Sequence, residues 1–200
     1  MVAVSRTDQR RPAHAARLTP LDRADWSEAA VAAIGILPPH MQPPPGESIN
    51  SLSVLARHPK LARAYLEFSL YLRFDASLDD RTRELLILRT AWIRGGGYEL
   101  ARHGRIARRI GFTDDELHRI TAGSTADGWT PAEALLLLAV EELCADYTLT
   151  DATWAELIAT FDEQQVMDVV MTVGAYDMLA MAFNTFGIEP EDDLPPFPPE

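Results

Sequence analysis

With 200 residues, 47% of them apolar, and a formal net charge of −12, the chain is long enough for one substantial core or two small fused helical units, and it lacks the basic balance that a phosphate backbone selects. No long uncharged run of membrane-spanning length occurs, and no apolar segment follows the N-terminal arginines. The expectation is a soluble, cytoplasmic protein with neither nucleic-acid nor membrane partners. A single cysteine, Cys144, excludes an internal disulfide or a two-cysteine redox pair and reads as a small core hydrophobe.

Residues 1–18 are polar and rich in arginine. Asp25-Trp26-Ser27-Glu28 leads into an alanine-rich helical turn. The prolines from Leu37-Pro38-Pro39 through Pro43-Pro44-Pro45 then rule out regular helix or a central strand. Residues 1–49 therefore read as an extended N-terminal arm, suited to wrapping a neighbour. Asn50 is placed to cap a short helix over 51–57, and Pro59 opens the next, which runs to about Arg73 with Leu61, Tyr65, Phe68 and Leu72 at helical spacing. Asp79 or Asp80 starts a third helix, in which Leu85, Leu88 and Trp92 share a face. Gly95, Gly96 and Gly97 end it, and a fourth runs from about Tyr98 to Ile110, stopped by Gly111.

Three later starts carry capping boxes: Thr113-x-x-Glu116, Thr130-x-x-Glu133 and Asp162-x-x-Gln165. Pro131 sits at a first helical position, where its missing N–H costs nothing. The helix after Thr130 is apolar nearly all round and is expected to be central. The last helix, over about 163–186, ends at Gly187; its methionines suit adaptable core or subunit packing. Residues 191–200 form a proline-rich tail. With no alternating β pattern, the fold class is all-α, a helical domain over 50–190 between the arm and the tail.

The segment from Arg83 to His103 gathers the groups able to move a proton or hold an anion. Glu99 and His103 are four residues apart, on one helical face, so the carboxylate can orient the imidazole and leave its other nitrogen to exchange a proton; an ordinary exposed ion pair is the plainer reading. Glu84 stands among leucines, where a buried acid needs a partner, and Arg89 follows in the same helix. If the glycines make a tight reversal, Arg89 and His103 lie at equal heights, each about 9 Å from the turn, with Glu84 roughly 7 Å further along. That count favours a Glu99–His103–Arg89 cluster over a direct Glu84–His103 contact, with Tyr98 offering a hydroxyl. The triple glycine lacks the lysine and preceding strand of a phosphate loop, and the five histidines are scattered without ligand spacing, so neither cofactor nor metal is expected. Arg102, Arg105, Arg108 and Arg109 read as a solvated face or as an attraction for an anionic substrate. Asn184 and Thr185 read as satisfied helix residues.

The string Arg83-Glu84-Leu85-Leu86-Ile87-Leu88-Arg89, with Tyr98-Glu99, His103, Gly111 and Thr113-Asp114-Asp115-Glu116, resembles the carboxymuconolactone decarboxylase family, which includes the alkylhydroperoxidase D branch. Asn50, His58-Pro59-Lys60-Leu61 and Phe183-Asn184-Thr185-Phe186-Gly187 are also similar. The resemblance implies an all-helical fold around a helical hairpin, assembled as a homo-oligomer (dimer, trimer or hexamer). It maps the peroxidase glutamate to Glu84, the histidine to His103, and the two cysteines to Gly96 and Glu99, which excludes thiol peroxidase chemistry through that motif. What remains is similar to the cysteine-free members. It implies a decarboxylase-like lyase, isomerase or hydrolase, independent of cofactor, acting on a small carboxylate or lactone. His103 would donate or relay a proton, oriented by Glu99 or Glu84, and Arg89 would hold a substrate carboxylate. A non-catalytic oligomer of the same fold is the alternative.

Overall fold

A computed structural model describes residues 16–43, 47 and 49–199. Their regular structure is helical, without strands: α1 (Glu28–Ile34), α2 (Asn50–Leu55), α3 (Pro59–Leu70), α4 (Asp80–Arg94), α5 (Gly97–Arg109), α6 (Asp114–Ala122), α7 (Pro131–Asp146), α8 (Asp151–Thr160) and α9 (Glu163–Phe186). Local chemistry explains most boundaries. Asp79 accepts the Thr82 amide to start α4, Thr113, Thr130 and Asp162 each close a full capping box, and Gly95 and Gly187 end their helices in the left-handed conformation that glycine tolerates best.

The centre of the domain is α4, not α7 as the sequence suggested. Nine successive residues, Arg83 to Ala91, are buried because α5, α6, α7 and α9 surround the helix. Helix α7 packs on α4, α8 and α9 but turns Leu138 to solvent, so its all-round apolar character overstates its burial. The main core joins Leu86, Leu88, Leu117, Leu137, Val140 and Val169. Helix α9 is apolar and long enough, at 24 residues, to cross a membrane by length and composition, yet half of its apolar stretch is buried in this core.

The described part of the N-terminal arm does not run extended. It folds back on its own chain: α1 docks on α3, and Trp26, Ala30, Ile34 and Leu37 close on Leu52, Ala56 and Leu66. Trp26, Ala30 and Ile34 recur every fourth residue, which gives α1 an apolar stripe that must be covered. Residues 1–15 and Pro44 and Pro45 lie outside the described residues. Asn50 begins α2 rather than capping it; its side-chain amide donates to Glu189 O at 2.9 Å. At the far end of α3 the chain makes one wider π turn, Tyr71–Asp75, where Leu72 is buried. The tail lies along α5: Asp193 pairs with Arg105 at 2.7 Å, and Phe197 packs beside Trp92 and Gly104. The arginine run of α5 is thus neither bare nor simply solvated, since Arg102, Arg105 and Arg108 each meet an acid.

Candidate functional site

Helices α2, α3, α4, α5 and α9 and the π turn, with Leu37, Met41 and Ile49 of the arm, line a partly open cavity of about 150 Å3. Tyr65, Tyr98, Tyr176 and Phe183 supply aromatic walls, and the polar groups come from Ser51, Arg73, Arg83, Glu99, Arg102 and His103. A cavity of this size has room for a single six-membered ring.

His103 Nδ1 lies 2.7 Å from Glu84 Oε2, and the Glu84 side chain is wholly buried. This corrects the sequence reading, which set Glu84 too far away. The helix count compared heights along the axis and left out rotation about it: at 100° per residue, Glu84 and Arg89 point about 140° apart on α4. Glu84 faces α5, whereas Arg89 faces α6 and α7. There its Nη1 donates to the Ile120 and Thr121 carbonyls at 2.9 Å each, and its Nε and Nη2 reach Glu141 Oε1 at 3.1 and 2.7 Å. Arg89 therefore closes the end of α6 and takes no part in the cavity. The arginine beside Glu84 is its neighbour Arg83, whose Nε stands 3.7 Å from Glu84 Oε1, an ionic contact too long for a hydrogen bond. Arg83 is fastened by Asp80 at 2.5 Å and by the Arg73 carbonyl at 3.2 Å.

Glu99 lines the same cavity but does not pair with His103. Side chains on a helix lean towards its N-terminus, and Glu99 leans back over Gly96: a methyl at Gly96 would stand 2.7 Å from Glu99 Oε2. Both Glu99 carboxyl oxygens are buried with no hydrogen-bond partner among the described residues. Burial raises this carboxyl to about 7, opposed only by its own backbone amide. Tyr98 is buried, with its hydroxyl 2.9 Å from Ser51 Oγ, and desolvation pushes it well above the usual tyrosine range. Tyr65 is raised to about 12 by the same cause. The Tyr176 ring meets the His103 ring edge-on at 5.0 Å.

Four of the five residues singled out from sequence, Glu84, Tyr98, Glu99 and His103, thus converge here, and Arg89 does not. Tyr65, Tyr176, Arg73 and Arg83 were missed. Arg83 had a signal in its place beside Glu84; the tyrosines come from helices with no local mark of a pocket. Asn184 and Thr185 are satisfied helix residues, bonding the Arg94 and Met181 carbonyls. Cys144 is buried in the main core, away from the cavity lining, and burial raises its thiol to about 11. Among the described residues, no three His, Cys, Asp or Glu side chains are grouped to hold a metal ion.

Residues 59–142 match the model of the carboxymuconolactone decarboxylase family. No curated protein matches the chain at the sequence level. Among solved structures, the chain is similar to an alkylhydroperoxidase AhpD core protein from Ralstonia eutropha described as an uncharacterized peroxidase-related protein, with a TM-score of 0.74 and 20% identity over 90% of this chain and 95% of that one. A peroxidase-related protein from Silicibacter sp. aligns with a TM-score of 0.73 and 16% identity over 88% and 94% of the two chains. A debrominase in complex with 2,3,4-tribromopyrrole aligns with a TM-score of 0.67 and 17% identity over 88% and 91%. At these identities the likeness establishes the fold.

Proposed function

We propose that the cavity performs cofactor-independent acid–base chemistry on a small, ring-sized carboxylate or lactone, as a lyase, isomerase or hydrolase, a reading supported by the match of residues 59–142 to the carboxymuconolactone decarboxylase family. The observation that carries this reading is the 2.7 Å bond between Glu84 and His103 at the wall of an aromatic-lined cavity. Glu84 engages Nδ1, which leaves Nε2 of His103 as the ring nitrogen that exchanges a proton with substrate. Glu99, a buried carboxyl with no hydrogen-bond partner among the described residues, is the second proton-handling group. Its value of about 7 suits a proton donor or acceptor near neutral pH. The thiol pair of the peroxidase branch is replaced by Gly96 and Glu99, and the buried Cys144 lies elsewhere. One neighbour of the same fold was solved with a substituted pyrrole, which supports a small ring as the ligand. The exposed Met167, Met171, Met178 and Met181 of α9 support a homo-oligomer.

The test is a turnover screen of lactones and unsaturated ring acids, followed by His103→Ala on any substrate found. A loss of roughly 10²–10⁴-fold in kcat is expected. Unchanged turnover in His103→Ala, with only a lower melting temperature, would assign the pair a structural role and reject the reading.

A further inference from the structure

The C-terminal tail sets one of the chain's own carboxylates against residues of the cavity wall. Glu191 Oε1 accepts the Asn50 amide at 2.8 Å and the Tyr98 hydroxyl at 3.2 Å, and its Oε2 lies 3.4 Å from Arg102 Nη1. Tyr98 and Arg102 both line the cavity. The Glu191 side chain is only 15% exposed, so its charge is held largely out of water by an amide, a phenol and a guanidinium. Such a donor set recognises a carboxylate. Flanking contacts keep the tail in place: Asn50 Nδ2 on the Glu189 carbonyl, Asp193 on Arg105, and the Phe197 ring on Gly104, where a methyl would approach to 3.0 Å.

Of the other arginines near the site, Arg73 lines the cavity with its Nε buried and unpartnered among the described residues, and the remaining two are committed elsewhere. Arg89 serves α6, and Arg83 serves Asp80 and the Arg73 carbonyl. Arg102 differs: its one hydrogen-bond partner among the described residues is Glu191, through a long and therefore exchangeable contact. Asn50 and Glu191 lie outside the cavity lining, but cavity and donor set share Tyr98 and Arg102, so the place where Glu191 now sits borders the cavity.

We propose that Asn50 N–H, Tyr98 and Arg102 form the recognition site for a ligand carboxylate, and that Glu191 occupies this site as a competitor built into the chain. Binding then requires the Glu191 side chain to leave, and the apparent affinity is lowered by the fraction of molecules in which the site is closed. The inference deepens the proposed reaction by assigning the charged end of its substrate, and it rests on that reading only for the cavity being the ligand site.

Titration calorimetry of the full chain with benzoate, and with benzamide as the neutral analogue of equal shape, tests it. Glu191→Ala is expected to bind benzoate at least about tenfold more tightly than the parent while benzamide binding stays the same. Adding Arg102→Met to Glu191→Ala is expected to remove that gain. No gain for benzoate, no benzoate binding to either protein, or an equal gain for both ligands overturns the proposal; the last would mean that the cavity had merely been opened. A second measurement uses the unaltered protein. At matched ionic strength, saturating benzoate is expected to speed amide exchange across residues 189–199 and benzamide is not; unchanged protection under benzoate overturns the proposal without any variant. The two readings fail separately. A benzoate gain in Glu191→Ala together with unchanged turnover in His103→Ala rejects the acid–base chemistry alone, and loss of turnover in His103→Ala with no benzoate gain in Glu191→Ala rejects the carboxylate site alone.

Discussion

Glu84 holds His103 across the α4–α5 hairpin through one 2.7 Å bond, with the glutamate entirely shielded from solvent and the histidine at the cavity wall. A charge in such a place persists only when its partners are in position. Glu84→Ala would leave His103 Nδ1 without its hydrogen-bond partner and Arg83 without its ionic contact at 3.7 Å. A loss of about 3 kcal/mol in unfolding free energy is expected, read by urea denaturation. Glu84→Gln, which keeps shape and a carbonyl oxygen, should lose less. An alanine variant as stable as the parent would contradict a tightly held pair.

Arg89 is expected to matter for stability and not for ligand binding. Its guanidinium joins two α6 carbonyls to Glu141, and Gly123 leaves room for that pair because a side chain there would run into both groups. Arg89→Met should lower the unfolding free energy by about 3 kcal/mol while leaving calorimetric binding of benzoate as in the parent. A stable Arg89→Met protein with weakened carboxylate binding would restore the role that the sequence assigned to this residue.

Glu99 gives the fold a pH dependence of definite sign. Its carboxyl is raised from the ordinary 4.5 to about 7, so the folded chain holds this proton more tightly than the unfolded chain does. The stabilisation is complete below about 4.5, is lost as pH rises through 7, and stays lost above it. At about 1.4 kcal/mol per unit, the difference between pH 4.5 and 8 is roughly 3 kcal/mol. Glu99→Gln should flatten this part of the profile, most visibly by being the more stable protein at pH 8. Parallel stability curves for the two proteins would show that Glu99 titrates as an ordinary exposed acid.

Helix α9 presents Met167, Met171, Met178 and Met181 outward, each between 48% and 66% exposed, within one narrow arc of the helix. Such a stripe is the face expected to meet a second copy of the chain. Met171→Asp with Met178→Asp should shift the protein to a species near 22 kDa by light scattering, with the helical signal retained. An unaltered mass distribution would place any subunit contact elsewhere.

Much of the fold was legible because helix ends are written in local chemistry. Asp79, Thr113, Thr130 and Asp162 cap through their own side chains, and Gly95 and Gly187 supply left-handed stops. Helix α8 was not separated from its surroundings. Its cap, Thr150, is followed by Thr153 rather than an acid at the third position, and Trp154 and Ile158 face outward, which blurs its apolar stripe. Asn50 looked like a cap but spends its amide on the tail, a contact between residues 139 positions apart. The site shows the same division. Glu84, Glu99 and His103 stood out as chemistry on apolar helices, whereas their pairing depended on rotation about α4, which a count along the axis omits. The lean of Glu99 over Gly96 likewise depended on side-chain direction.

That lean ties two positions together as an engineering constraint. In the peroxidase branch positions 96 and 99 both carry thiols, and here they carry no side chain and a long one. A cysteine installed at Gly96 alone would put its Cβ against the Glu99 carboxylate, at a 2.7 Å approach that only a shift of Glu99 relieves. A cysteine at Glu99 alone removes the cavity's acid and leaves a thiol with no partner to close a disulfide. Conversion between the two chemistries therefore has an order: position 99 has to shorten before position 96 can grow.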